Sequence, residues 1–320
     1  EHQVKAKDVA VFYRTNAQSR AIEEVFVRVG LPYKVVGGTR FYERREVKDA
    51  IAYLRVISNP ADTVNLRRIL NVPKRGIGDR AEACVAALAE RERIPFVAAL
   101  GRPEDAPGIA TRSVAAIKGF TSLLEGLGEI HADEDAGVAE LLEAVLERSG
   151  YVQELRNSRD PQDETRLENL AELVSVAREF DEARAETGEA YSLEDFLERV
   201  SLVADADEIP DDAPGAEDGV VTLMTLHTAK GPAFPVVFLT GLEDGTFPHQ
   251  RSLAEPKELE EERRLAYVGI TRARERLHLS RAAVRSAFGQ PMYQPASRFL
   301  DEIPEELLDW ERLGPTAGPA

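Results

Sequence analysis

Strand-forming patterns stand at the two ends of this 320-residue chain and are missing from its middle. "VAVFYR" (Val9 to Arg14) and "YKVVGG" (from Tyr33) open the chain, while "VVTLMT" (from Val220), "VVFLTG" (from Val236) and "LHLS" (from Leu277) close it. These runs are short, apolar and β-prone throughout, the signature of strands buried on both faces of a parallel sheet. Helical patterns separate them. Ala17 to Val29 carries Ile22, Val25, Phe26 and Val29 at helical spacing before Gly30, Arg45 to Ile57 repeats the pattern, and Glu258 to Val268 is a charged helix. Between about Asn59 and Asp218 only helices are predicted, over Thr63–Leu70, Arg80–Arg91, Thr111–Leu127, Val138–Arg148, Glu164–Glu179 and Leu193–Leu202. The economical solution is one α/β domain built from residues 1–50 and 219–305, interrupted by an all-α insertion over 51–218. Residues 306–320 read as a flexible linker, and "DADEIPDDAPGAEDG" as a solvated acidic one.

The net charge of -17 argues against a protein that coats polyanions indiscriminately. Its distribution is uneven. Asp181 to Asp218 holds 14 acidic and 2 basic residues, whereas Glu261 to Arg285 holds 3 acidic residues and 7 arginines. A local basic face on an acidic body still permits nucleic-acid binding, since phosphate contacts depend on local charge. One cysteine, Cys84, allows no internal disulfide and no cysteine-rich metal site, which points to a reducing, intracellular compartment. No apolar run approaches the roughly 20 residues that span a bilayer. The first residue is not Met, which suggests processing or truncation.

Parallel sheets bind ligands beyond the carboxyl ends of their strands. "VTLMT" runs into "LHTAKG" and "VVFLTG" into "LEDGTFPH", so His227, Lys230 and His249 are expected at one sheet edge; ordinary surface or core histidines are the alternative. "EERRLAYVGITRARERL" (from Glu261) reads as a helix broken at Gly269, beyond which Arg272 and Arg274 project. The first half of that segment fits a solvated face with ion pairs. Arg272 offers a permanently charged fork of donors suited to phosphate oxygens. "NVPKRGIGDRAE" resembles a helix-hairpin-helix element, in which Gly76 and Gly78 let a phosphate approach the backbone. Asp79 would cap the next helix with Glu82 three residues on, and Lys74 and Arg75 would add charge.

"VTLMTLHTAKG", "FPVVFLTGLEDGTFPH" and "LEEERRLAYVGITRARERL" resemble motifs five and six of the UvrD/PcrA/Rep group of superfamily 1 DNA helicases. "VAVFYRTNAQSR", "VGGTRFYERREVKD" and "NVPKRGIGDR" are similar to that group's second RecA-like domain and its helical insertion, in the same order. The resemblance implies a RecA-like second motor domain, P-loop NTPase-like, interrupted by a duplex-binding helical domain. It makes Arg272 the arginine finger that reaches the γ-phosphate of ATP held, with Mg²⁺, by the opposite RecA-like domain. It puts Lys230, Gly231 and Ala233 at the nucleotide and makes Thr225, with Lys230, a link to the DNA track. It carries single-stranded DNA past Arg14, Asn16, Arg40, Thr225, His227, His249 and Phe288, and duplex DNA onto Lys74, Arg75, Gly76 and Gly78. Cations and amides would hold phosphates while an aromatic ring stacks on any base.

Two departures bear on activity. After Ala229-Lys230-Gly231 the group carries Leu-Glu, and its glutamate contacts the ribose; here stand Pro232 and Ala233, so weaker nucleotide affinity is expected. No Gly-Lys pair occurs anywhere, so the phosphate-binding loop is lacking and the chain alone is expected not to hydrolyse ATP. No metal ligands are assigned. The leading expectation is the C-terminal half of an ATP-dependent 3'-to-5' helicase acting on single strands and junctions in bacterial cytoplasm, with its N-terminal half and repair proteins as partners. The alternative is a DNA- or protein-binding fragment with a degenerate nucleotide site that regulates a partner.

Overall fold

The computed structural model describes residues 4–133, 135–187, 192–206, 219–287 and 290–311. The chain divides into two compact units, Glu1–Phe41 with Val203–Ala320, and Tyr42–Leu202.

The first unit holds a five-stranded parallel sheet of β1 (Val9–Tyr13), β2 (Tyr33–Val36), β3 (Val221–Thr225), β4 (Phe234–Leu239) and β5 (Ala273–Leu279) in the order β2-β3-β1-β4-β5. β1 lies between β3 and β4, with Ala10 opposite Thr222 and Val237, so the two ends of the chain are joined through its backbone. Alternation in β1 feeds two cores. Ala10 and Phe12 join Met224, Leu239 and Leu265 on one face, while Val11 and Tyr13 join Leu223 on the other, against Ile22 and Phe26 of α1 (Ser19–Val29). Val25 and Val29, which share the helical pattern, stay exposed, and Glu23 is buried instead, accepting from the Phe41 backbone at 3.1 Å. Gly30, at φ 68°, ends the helix in the left-handed region that glycine adopts without strain.

The second unit is all-helical: α2 (Arg45–Ser58), α3 (Thr63–Ile69), α4 (Asp79–Glu92), α5 (Phe96–Leu100), α6 (Thr111–His131), α7 (Val138–Arg148), α8 (Tyr151–Asn157), α9 (Pro161–Thr187) and the start of α10 (Leu193–Ala206). The expected boundary at residues 50 and 51 would cut α2 in half. In the structure α2 buries Val47, Ile51, Leu54 and Val56 and packs on α3, α6, α7 and α9, so the whole helix belongs to this unit.

Several local expectations are corrected. Gly269 does not break its helix, because α11 (Pro256–Ile270) runs through it. Asp79 is the first helical residue of α4, not its cap; Gly78 holds the cap position with no side-chain bond. Two short helices, α5 and α8, and an antiparallel hairpin of β6 (Val284–Ala287) and β7 (Gln290–Tyr293) escaped the sequence patterns. Of the acidic linker, 205–206 are helical and 207–218 lie outside the described residues. Of the tail, 306–311 are described, opening in a 3-10 turn at Glu305–Leu307.

Candidate functional site

α11 positions one group of candidates. Its buried residues Glu262, Leu265, Ala266 and Gly269 recur at i, i+3, i+4 and i+7, which seats one stripe on the sheet. A Cβ on Gly269 would come within 2.6 Å of Leu226 Cδ2, so glycine serves here for close packing of helix on strand end. Beyond Ile270 the chain turns into β5, and Arg272 sits in that turn at the amino end of the strand. Its guanidinium donates to the carbonyls of Gly231 and Val268 and to Thr271 Oγ1, each at 3.3 Å. The Arg272 carbonyl accepts from Phe234 N at 2.9 Å, so residues 231–234, including Ala233, lie beside it.

Arginines of this segment fall into two groups, some ion-paired and some, Arg272, Arg274, Arg276 and Arg281, without an ion pair among the described residues. Arg264 pairs with Glu261, Arg263 with Glu260 and Glu302, Arg285 with Glu243 and Arg298 with Asp244. Arg272 has no ion pair among the described residues. Carbonyl dipoles fix its direction and leave its charge available to an anion.

The carboxyl ends of the strands gather a second group. Arg14, just past β1, donates through Nε and Nη2 to both oxygens of Glu262 at 2.7–2.9 Å. Glu262 Oε2 also accepts from His249 N at 3.0 Å, tying the loop after β4 to α11. Gln18 Oε1 accepts from the backbone of Arg14 and Thr15 at 2.9 Å and locks the turn that begins at Asn16. The side chains of Thr225 and Thr228 share a hydrogen bond of 3.1 Å. The Gly37–Gly38 turn after β2 approaches them: a Cβ on Gly37 would stand 2.7 Å from Thr228 Cγ2, and one on Gly38 3.9 Å from Asn16 Oδ1. Arg40, two residues on, lies over the Tyr33 ring at 5.3 Å. His227 is exposed by area yet crowded by protein on its inner side. That partial desolvation, then the charge of Arg14, holds its pKa below the usual value.

His227 and His249 follow strand carboxyl ends, and Lys230, near enough to His227 to help lower its pKa, adjoins Gly231, whose carbonyl accepts from Arg272. Arg14 is ion-paired with Glu262. Sequence reading passed over Glu262 as one of a solvated charge run; its spacing to Leu265 and Gly269 was the available signal. Phe288 lies outside the described residues.

In the helical unit the candidate duplex contact is the loop from Asn71 to Gly78. Asn71 Oδ1 accepts from Arg75 N at 2.8 Å and Ile77 N at 3.2 Å, and buried Ile77 anchors the turn. Gly76, at φ 80°, needs glycine for its backbone, and neither Gly76 nor Gly78 has an atom within 4 Å of where a Cβ would stand. The Lys74 side chain is exposed. Arg75 does not add surface charge, because it turns inward. It donates to the Ile69 and Pro73 carbonyls at 3.1 Å and to Tyr53 Oη, and covers the Phe120 ring at 5.2 Å. Burial pushes the Tyr53 phenol up to about 12, against the opposing charge of Arg75. Among the described residues no group of three or more His, Cys, Asp or Glu is arranged to hold a metal, and no helix is long and apolar enough to cross a membrane.

The sheet unit is thus a parallel α/β domain with an arginine that has no ion pair among the described residues at one rim and a polar cluster at the other. The family described as UvrD-like helicase C-terminal domain matches residues 1–94 and 127–283, and the chain belongs to it. The chain is 58% identical over 328 aligned residues to the ATP-dependent DNA helicase UvrD1 of Mycobacterium tuberculosis (strain ATCC 25618 / H37Rv), covering 98% of this chain and 41% of that protein. It is 56% identical to UvrD1 of Mycobacterium leprae (strain TN), over 95% of this chain and 40% of the relative. It is 44% identical to the ATP-dependent DNA helicase PcrA of Bacillus subtilis (strain 168), over 95% of this chain and 40% of the relative. The chain therefore spans about two fifths of the length of these curated relatives.

Proposed function

We propose that this chain is the C-terminal half of an ATP-dependent 3'-to-5' DNA helicase, supplying an arginine finger, a single-strand track and a duplex-binding insertion. The observation that carries the reading is Arg272: a guanidinium fixed by the Gly231 and Val268 carbonyls, with no carboxylate paired to it among the described residues. Charge developing on a transferring phosphoryl group is the anion such a cation suits. ATP would lie between this chain and an amino-terminal RecA-like half. Lys230 and Gly231 would approach it from this side, and Mg²⁺ would be held from the other.

Single-stranded DNA would run along the rim of Arg14, Asn16, Thr225, His227 and His249, and on past Arg40. Junction DNA would meet the backbone at Gly76 and Gly78 beside Lys74. Arg75 supports that loop from within. The whole protein would act on the chromosome in the bacterial cytoplasm, with repair proteins as its partners. Pro232 and Ala233 lack a side-chain acceptor for a ribose hydroxyl. Replacing them with Leu and Glu in the full-length enzyme is expected to lower KM for ATP, and an unchanged KM would refute that detail.

The test of the reading is complementation. This chain mixed with an amino-terminal half carrying a phosphate loop is expected to hydrolyse ATP when single-stranded DNA is added, and Arg272→Ala in this chain to abolish the activity. A mixture that binds DNA with no ATP hydrolysis would favour a binding module.

A further inference from the structure

We propose that Glu262 is a positioning residue of the single-strand track: its carboxylate sets the Arg14 guanidinium and the His249 loop in the geometry that receives DNA phosphates. The inference rests on the track reading of the strand carboxyl ends given above.

Three separate elements meet at this carboxylate: the exit of β1, the loop after β4, and α11. Its side chain is 4% exposed, against 18% for Arg14. A carboxylate this far out of water is stable only when its lone pairs are satisfied. Here they are. Oε1 accepts from Arg14 Nε and Nη2 at 2.9 and 2.7 Å, and Oε2 from Arg14 Nε and His249 N at 2.9 and 3.0 Å. These bonds occupy the Nε and Nη2 edge of the guanidinium. Nη1 carries no hydrogen bond among the described residues, and because the fork is planar and rigid, fixing one edge also fixes the direction of the other.

Such an arrangement presents donors whose conformational cost has already been met before the ligand arrives. It also lowers the net charge of the rim, so the track would hold a strand through oriented donors more than through bulk attraction, which suits a strand that must move on. The backbone N–H of His249, held by the same carboxylate, keeps that loop in register with Arg14. His227 lies in the same field, with Arg14 lowering its pKa and Glu262 opposing that shift.

The sign of one substitution separates positioning from plain electrostatics. Glu262→Gln removes a negative charge from the rim; by charge alone, DNA should then bind more tightly. If Glu262 positions Arg14, DNA binds more weakly. In the full-length enzyme carrying this chain, ATP turnover is measured against the concentration of a 20-nucleotide oligo-dT. Glu262→Gln is expected to raise the concentration for half-maximal stimulation by about five-fold or more, exceeding any change in KM for ATP. Arg14→Lys keeps the charge and loses the fork, and is expected to shift the oligonucleotide requirement in the same direction.

An unchanged or lower requirement in Glu262→Gln would overturn the proposal. So would equal shifts in the oligonucleotide requirement, KM for ATP and kcat, the result of a merely structural role. If the unsubstituted enzyme shows no stimulation by oligo-dT, the track reading itself fails and the inference falls with it. The parent measurement alone reveals that case.

Discussion

The two rims of the sheet treat arginine in opposite ways. At the strand carboxyl ends Arg14 is clasped by a buried carboxylate, whereas at the amino end of β5 Arg272 rests on neutral carbonyls and keeps its charge. Ionic partners inside the molecule make the first arginine part of the architecture as well as a candidate contact. The second is held in direction alone, which is what an anion arriving from another chain segment requires. The same residue type therefore reports different roles according to what neutralises it.

The largest effect that could break this comparison lies at Arg272. In the full-length enzyme Arg272→Ala is expected to reduce DNA-stimulated ATP turnover by about 1,000-fold or more while changing unfolding free energy by less than about 1 kcal/mol. A large loss of stability with modest loss of turnover would erase the distinction between the rims.

Arg14→Ala is expected to show the reverse balance. It leaves Glu262 buried with only the His249 N–H, at a cost of about 3 kcal/mol, read as a lower denaturation midpoint. A midpoint equal to that of the parent would mean the pair contributes nothing to folding. Gly269→Ala probes the helix that links the two rims. The added methyl meets Leu226 Cδ2 at 2.6 Å, and relief by moving that side chain is expected to cost about 1 to 2 kcal/mol in the same assay.

The smallest effect is the pH response of His227. Its pKa is lowered by partial burial and then by Arg14, so the unfolded chain takes up its proton first on acidification. This contribution to stability is complete above the unfolded value of about 6.5 and is lost as pH falls through the lower folded value. Exposure of the ring keeps it small. The melting temperature of the parent is expected to fall slightly more between pH 7.5 and 5.5 than that of His227→Asn, and an identical fall would show that His227 titrates as in the unfolded chain.

The strands were legible because a parallel sheet buried on both faces writes nearly continuous apolar runs, as β1 and β4 do and as β3 does apart from Thr222 and the terminal Thr225. The hairpin was not. Its strands are four residues each and mix polar with apolar side chains, a pattern no different from a loop. Glycine at 269 was read by its propensity to end helices, whereas tertiary packing against Leu226 decided its role. Arg272 was a candidate from its residue type and from the family resemblance of its segment, although the helix break expected before it is absent. The fate of Arg14 was hidden because Glu262 lies 248 residues away, and that of Arg75 because the Tyr53 and Phe120 rings reach it from other helices.

The most direct measurement is the position of the Arg272 guanidinium in a structure of the full-length enzyme with a non-hydrolysable ATP analogue and single-stranded DNA. The account predicts a nitrogen of Arg272 about 3 Å from a γ-phosphate oxygen, a hydrogen-bond distance. A guanidinium still resting on the Gly231 and Val268 carbonyls with the triphosphate bound elsewhere, or paired with a carboxylate of the amino-terminal half, would contradict it.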